Sequence, residues 1–151
     1  MKNLEEKIIP ILQENSCTPQ ISKLAKKLKE PSTTIHYNIK KLEQTKKVIG
    51  YKAVLNHELI GDGFCAFVLL TLSPDEYGNP ERIAKSLAIH KNVESVDIIT
   101  GDWELVIKVR AKNQAEYYEF VKKVISRKGI EKIKTLISLK QEKSEFFQLN
   151  T

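Results

Sequence analysis

The period of the hydrophobic residues changes once along this 151-residue chain, and that change limits the fold more than any other feature. Up to Leu42 the apolar residues recur at helical spacing; from Phe64 onward apolar, β-branched runs alternate with helical stripes. A chain patterned in this way is α+β, with a helical first part and a mixed second part.

In the first part, Leu4, Ile8, Ile9, Ile11 and Leu12 predict a helix from Leu4 to Gln13, left through the polar pair Asn15-Ser16. Thr18-Pro19 has the cap-then-proline order of a helix start, followed by the stripe Ile21, Leu24, Ala25 and Leu28, which Lys29-Glu30-Pro31 breaks. Ser32 offers a capping hydroxyl to a third helix, which buries Ile35, Ile39 and Leu42 and turns Thr33, Thr34, His36, Tyr37, Lys40 and Lys41 outward. Two short helices joined by a turn of about three or four residues have the geometry of a helix-turn-helix, whose second helix enters the major groove of DNA by its N-terminal residues. Val48 to Leu55, β-branched and aromatic around Gly50, reads as a strand able to serve as a wing or a linker.

In the second part, the apolar run Phe64 to Leu72 leads through a turn at Ser73 to Pro80 into a helix carrying Ile83, Ala84, Leu87 and Ala88. Val93 to Thr100 and Trp103 to Val109 predict two strands separated only by Gly101-Asp102, a tight hairpin. A helix from Ala115 to Ile125 ends before Gly129, and Ile130 to Leu139 alternates as a last strand. The order βαββαβ is that of a ferredoxin-like domain, with both helices on one face of a four-stranded antiparallel sheet. The other sheet face would expose more apolar area than a monomer tolerates, so sheet-to-sheet pairing into a homodimer is expected. The divisions predicted are a helix-turn-helix over 1–50, a linker strand and hinge over 51–63 with Gly61 and Gly63, and a ferredoxin-like domain over 64–151.

Charge follows the same division. Residues 1–60 hold 11 Lys and 6 Glu, whereas residues 61–151 hold 14 Lys or Arg and 13 Asp or Glu, so the basic excess lies where the helices are. Such an excess suits a polyanion such as double-stranded DNA. With 41% hydrophobic and 29% charged residues the composition is that of a globular protein. No apolar run approaches the roughly 18 residues of a membrane span, and the first residues are amphipathic and acidic, so a cytoplasmic location without membrane contact is expected.

Catalytic chemistry finds no foothold. Cys17 and Cys65 are isolated and read as small apolar side chains, and His57 and His90, without a partner at ligand spacing, read as surface residues, so no metal site is expected. GxGxxG, GxxxxGK[ST] and GxSxG are all absent, so neither an enzyme nor a cofactor is expected.

The segment PSTTIHYNIKKLEQTKKVIGYKAVLN from Pro31 to Asn56 resembles the recognition helix, wing and linker of the Lrp/AsnC (feast/famine) family of prokaryotic transcription regulators. ITGDWEL at Ile99 to Leu105 is similar to that family's TGD-aromatic hairpin, and TLISLK at Thr135 to Lys140 to its terminal strand; together the likeness spans almost the whole chain. The resemblance implies a winged helix-turn-helix joined to a ferredoxin-like effector domain. It also implies dimers able to form octamers, and an amino-acid effector bound between dimers near the TGD turn and the last strand. Tyr37 and Asn38 stand where members often carry basic residues, Trp103 stands where Tyr is usual, and Glu104 where Asp is frequent.

On this reading Lys40 and Lys41 neutralise phosphates, while Ser32, Thr33, Thr34, His36 and Tyr37 meet phosphates and base edges. Asp102 accepts the effector's ammonium, the backbone around Thr100 and Gly101 receives its carboxylate, and Trp103 and Thr135 complete the effector set. Two rivals share the architecture: an enzyme like the Lrp-like sirohaem decarboxylases, and an architectural protein coating DNA with little sequence preference.

Overall fold

The computed structural model describes residues 3–14 and 17–149, which form two compact units, one running to Val54 and the other starting at Leu55. The Asn15-Ser16 exit from the first helix lies outside the described residues.

The first unit holds α1 (Leu4–Gln13), α2 (Ile21–Leu28) and α3 (Ser32–Gln44). α1 runs where its stripe predicts. α2 begins later than Thr18-Pro19 suggests, because its first bond is from the Leu24 N–H to the Gln20 carbonyl at 3.1 Å and Gln20 is still extended. Pro19 is half-buried instead, so packing rather than helix entry accounts for it. α2 ends in a Schellman closure: Glu30 N–H donates to the Ala25 carbonyl at 3.1 Å and Lys29 N–H to the Lys26 carbonyl at 3.4 Å, with Lys29 left-handed at φ 56°. Pro31 then occupies the cap position of α3, so Ser32 is the first helical residue and not the cap.

Ala25 and Ile35 are the buried hydrophobic residues of this unit, and Ile39 is half-buried one turn beyond Ile35. Leu42, expected inside, is 36% exposed, since so short a chain covers its helix ends poorly. The Val48 to Leu55 strand does not form. Its backbone bonds go to helices, from the Val48 N–H to the Leu42 carbonyl and from the Ala53 N–H to the Leu12 carbonyl, both at 3.1 Å, and a strand needs another strand to pair with.

The second unit opens with α4 (His57–Ile60), a short helix where only a linker strand and hinge were expected. The Asn56 side chain accepts from the Leu59 N–H at 3.4 Å, and Gly61 at φ +88° closes it. There follow β1 (Phe64–Leu72), α5 (Pro80–Ala88), β2 (Val93–Ile98), β3 (Leu105–Ala111), α6 (Gln114–Phe120) with a π turn over Val121–Ile125, and β4 (Ile130–Ile137). All strand pairs are antiparallel in the order β2-β3-β1-β4, the split βαβ arrangement predicted. Alternation of side chains puts Ala66, Val68, Leu70 and Leu72 of β1 with Leu105, Ile107 and Val109 of β3 on one face, where Ile83 and Leu87 of α5 and Phe120 of α6 seal them. Fully burying each of these side chains larger than Ala66 contributes roughly 1.5–3 kcal/mol.

The hairpin between β2 and β3 is looser than expected: the connection runs from Ile99 to Glu104 rather than through Gly101-Asp102 alone, because Ile99 N–H closes it on the Glu104 carbonyl at 2.9 Å. The opposite sheet face is only partly apolar. Phe67 and Leu136 are 39% and 46% exposed there, but at one end β5 (Lys143–Ser144) and β6 (Phe147–Gln148) form a small hairpin, and the segment before it covers Cys65 and Arg110. Gln141 accepts from Arg110 Nη1 at 2.9 Å, while Arg110 Nε and Lys108 Nζ reach Glu94 at 2.9 and 2.7 Å. Burial by itself would raise the Glu94 carboxyl, but these two cations hold it below its ordinary value.

Neither histidine expected at the surface is fully there. His90 is half-buried with its ring edge-on to Phe120 at 6.2 Å between centroids. His57 is half-buried too, its Nδ1 enclosed without a hydrogen-bond partner among the described residues; burial, then the Arg110 charge, lowers its pKa from 6.5.

Candidate nucleic-acid and effector interfaces

In the first unit the packing of α3 decides which side chains face solvent. Ile35 and Ile39, one turn apart, turn inward, so Ser32, Thr33, Thr34, His36, Tyr37, Lys40 and Lys41 are all exposed, Tyr37 at 68%. The face is continuous along the helix, from three hydroxyls at its start through an imidazole and a phenol to two ammonium groups. Asn38 is withdrawn from it, its Nδ2 donating to the Thr34 carbonyl at 2.8 Å. Lys40 lies 3.6 Å from Glu43 in an exposed pair, and such pairs contribute only about 0–1 kcal/mol, so an incoming phosphate can take the lysine. Helix α2 adds Lys23, Lys26 and Lys27, exposed at the i, i+3, i+4 spacing of one face. The sequence reading used α2 only for its apolar stripe and missed these lysines, although its spacing already placed them opposite that stripe.

In the second unit the Ile99 to Glu104 turn projects from the sheet. Thr100, Gly101 and Asp102 are exposed and Trp103 is half-buried, with Gly101 at φ +107°. Asp102 enters no ion pair among the described residues, so its carboxylate is open to an ammonium group. What fixes the turn is Glu104, which sequence reasoning treated only as a departure from a family pattern. Its N–H donates to the Leu70 carbonyl at 3.0 Å and its carboxylate accepts from the Leu72 N–H at 2.8 Å, so the turn is riveted to β1 by backbone and side chain together. Thr135 is not brought to this turn within one chain. It lies opposite Val68 on the helix-covered face of β4, and its hydroxyl is 2.6 Å from the Tyr117 hydroxyl.

Among the described residues no group of three His, Cys, Asp or Glu side chains is placed to hold a metal ion, and no helix is long and apolar enough to cross a membrane. The three arginines are all engaged: Arg82 with Glu76, Arg110 with Glu94 and Gln141, and Arg127 with Ser86.

Residues 65–146 match the family model described as the Lrp/AsnC ligand binding domain. The HTH-type transcriptional regulator FL11 of Pyrococcus furiosus is 32% identical over 143 residues, which cover 95% of this chain and 92% of that protein. Among solved structures, an AsnC family transcriptional regulator from Agrobacterium tumefaciens shares the fold with a TM-score of 0.73 at 24% identity, covering 95% of this chain and 94% of that one. A Neisseria meningitidis transcriptional regulator, solved as a complex with L-Met, does so with a TM-score of 0.74 at 22% identity, over 99% and 97% of the two chains. With a family model matching more than half of its residues and a relative of this identity along nearly its full length, the chain belongs to the Lrp/AsnC family.

Proposed function

We propose that this protein is a homo-oligomeric, sequence-specific DNA-binding transcription regulator that responds to a small amino acid. The observation that carries the reading is the exposed polar and basic face of α3, presented by a buried Ile35 and a three-residue turn after α2. We read that geometry as a helix-turn-helix with α3 as reader; among the described residues Val48 to Leu55 forms no wing strand behind it. Its hydroxyls and Tyr37 would meet base edges and phosphates, and its lysines phosphates alone. We assign 1–50 to DNA, 51–63 to the linker and 64–151 to effector binding and assembly.

The effector site we assign is the turn at Thr100, Gly101, Asp102 and Trp103, with Asp102 taking the ammonium and turn amides the carboxylate. A structural neighbour solved with L-Met supports an amino acid as ligand class. The apolar part of the open sheet face, around Phe67 and Leu136, supports pairing of two copies, and octamers would follow from further contacts between dimers. Two readers related by a twofold axis would bind half-sites about 34–36 Å apart.

The sirohaem decarboxylase alternative lacks support: relatives are named as regulators, and the arginines that could grip propionates are already paired. The test is selection of binding sites from a random DNA pool. A twofold-symmetric site with turn-periodic half-sites, altered by Thr34→Ala, is expected; enrichment of no sequence would leave only a nonspecific DNA-coating role. For the effector, an amino acid should raise the melting temperature of the protein and of the Lys41→Ala variant more than that of Asp102→Ala.

A further inference from the structure

The first unit contains a cavity of about 580 Å³ that the DNA face does not use. Three segments line it: Cys17 and Pro19 between α1 and α2, Glu43 and Lys46 at the end of α3, and Val48 with Tyr51 beyond. Apolar side chains and two opposite charges therefore share one concave site, the pattern of a small-molecule pocket. Glu43 is oriented: its Oε1 accepts from the Tyr51 hydroxyl at 3.3 Å. It also stands beside the carbonyl end of α3, where the helix dipole favours a cation. Lys46, which also lines the cavity, forms no ion pair among the described residues, so its ammonium is an uncompensated positive group.

We propose that this cavity is a second ligand site, for a small zwitterion of the free amino acid type, separate from the turn at Thr100 to Trp103. The ligand's ammonium binds Glu43, its carboxylate binds Lys46, and its side chain lies against Pro19 and Val48. Because Glu43 also holds Lys40 at 3.6 Å, a ligand that takes Glu43 releases Lys40, which lies on the α3 face. Only this last link rests on the DNA-reading function proposed above; occupancy of the cavity does not.

Cys17 makes the site observable. Its thiol is half-buried at the cavity, whereas Cys65 is 1% exposed and reports unfolding if it reacts. The experiment is iodoacetamide alkylation of the full chain, followed residue by residue by mass spectrometry, with each common L-amino acid at millimolar concentration. At least one amino acid slows Cys17 alkylation several-fold, in the unaltered protein and in Asp102→Ala alike, while its N-acetyl and amide derivatives, each missing one charge, do not. Glu43→Gln and Lys46→Gln abolish the protection, with Cys65 still unreactive. The proposal is overturned if no amino acid protects Cys17, if protection vanishes in Asp102→Ala, or if it survives in both charge variants. None of these outcomes depends on DNA, so failure of DNA binding and failure of this site are separately visible.

Discussion

Lys29 carries the turn between α2 and α3 in a left-handed conformation that costs a side-chain-bearing residue roughly 1–2 kcal/mol. Glycine is free of that cost, so Lys29→Gly should stabilise the protein by up to about 1 kcal/mol in chemical denaturation, glycine's greater freedom when unfolded offsetting part of the gain. A loss of stability would contradict the Schellman geometry. Gly101 is the converse case. At φ +107° with open space where a Cβ would sit, Gly101→Val should cost about 1–3 kcal/mol through backbone strain and not through a clash. Thr135 was legible in the sequence as a strand residue but not as the partner of Tyr117, because its 2.6 Å contact joins residues far apart in sequence. Thr135→Val should therefore lower stability by about 1–3 kcal/mol, by stripping the Tyr117 hydroxyl of its partner.

At the scale of elements, what periodicity can see was seen. The extents of α1 and β1 and the order βαββαβ follow from spacing alone, since a stripe or an alternation is a local property of the chain. What failed was whatever depends on a partner. Val48 to Leu55 has the composition of a strand but pairs with no strand among the described residues, and its backbone bonds go to helices. The four-residue α4 went unread inside the linker, although Asn56 and Gly61 stand at its ends as cap and stop, because so few residues show no stripe. Of the candidate sites, the exposed face of α3 followed from helical spacing; the role of Glu104 as the rivet of the effector turn did not, because its acceptor bond is to Leu72 on another strand. Glu104→Ala should loosen that turn, which faster amide hydrogen exchange over 99–104 would show, while exchange in α5 stays unchanged.

For the whole molecule, the polar cluster under the C-terminal segment makes stability depend on pH. His57 has a lowered pKa in the folded chain, so the unfolded state binds the proton more readily. The stability His57 contributes is therefore complete above pH 6.5 and is lost as pH falls through that value toward the depressed folded one. Glu94, held down by Lys108 and Arg110, adds a further loss at more acidic pH, as its carboxyl protonates. His57→Gln should remove the first loss and leave the second, as read by denaturation at a series of pH values.

If α3 meets DNA with its exposed face, the salt dependence of binding must show it. Affinity of the full chain for a selected duplex should fall steeply with salt, and Lys40→Ala with Lys41→Ala should weaken binding on every sequence while reducing the slope of log K against log salt by about 1.8 for each reader helix engaged. An unchanged slope in that double variant, or no salt-dependent DNA binding by the full chain, would contradict it.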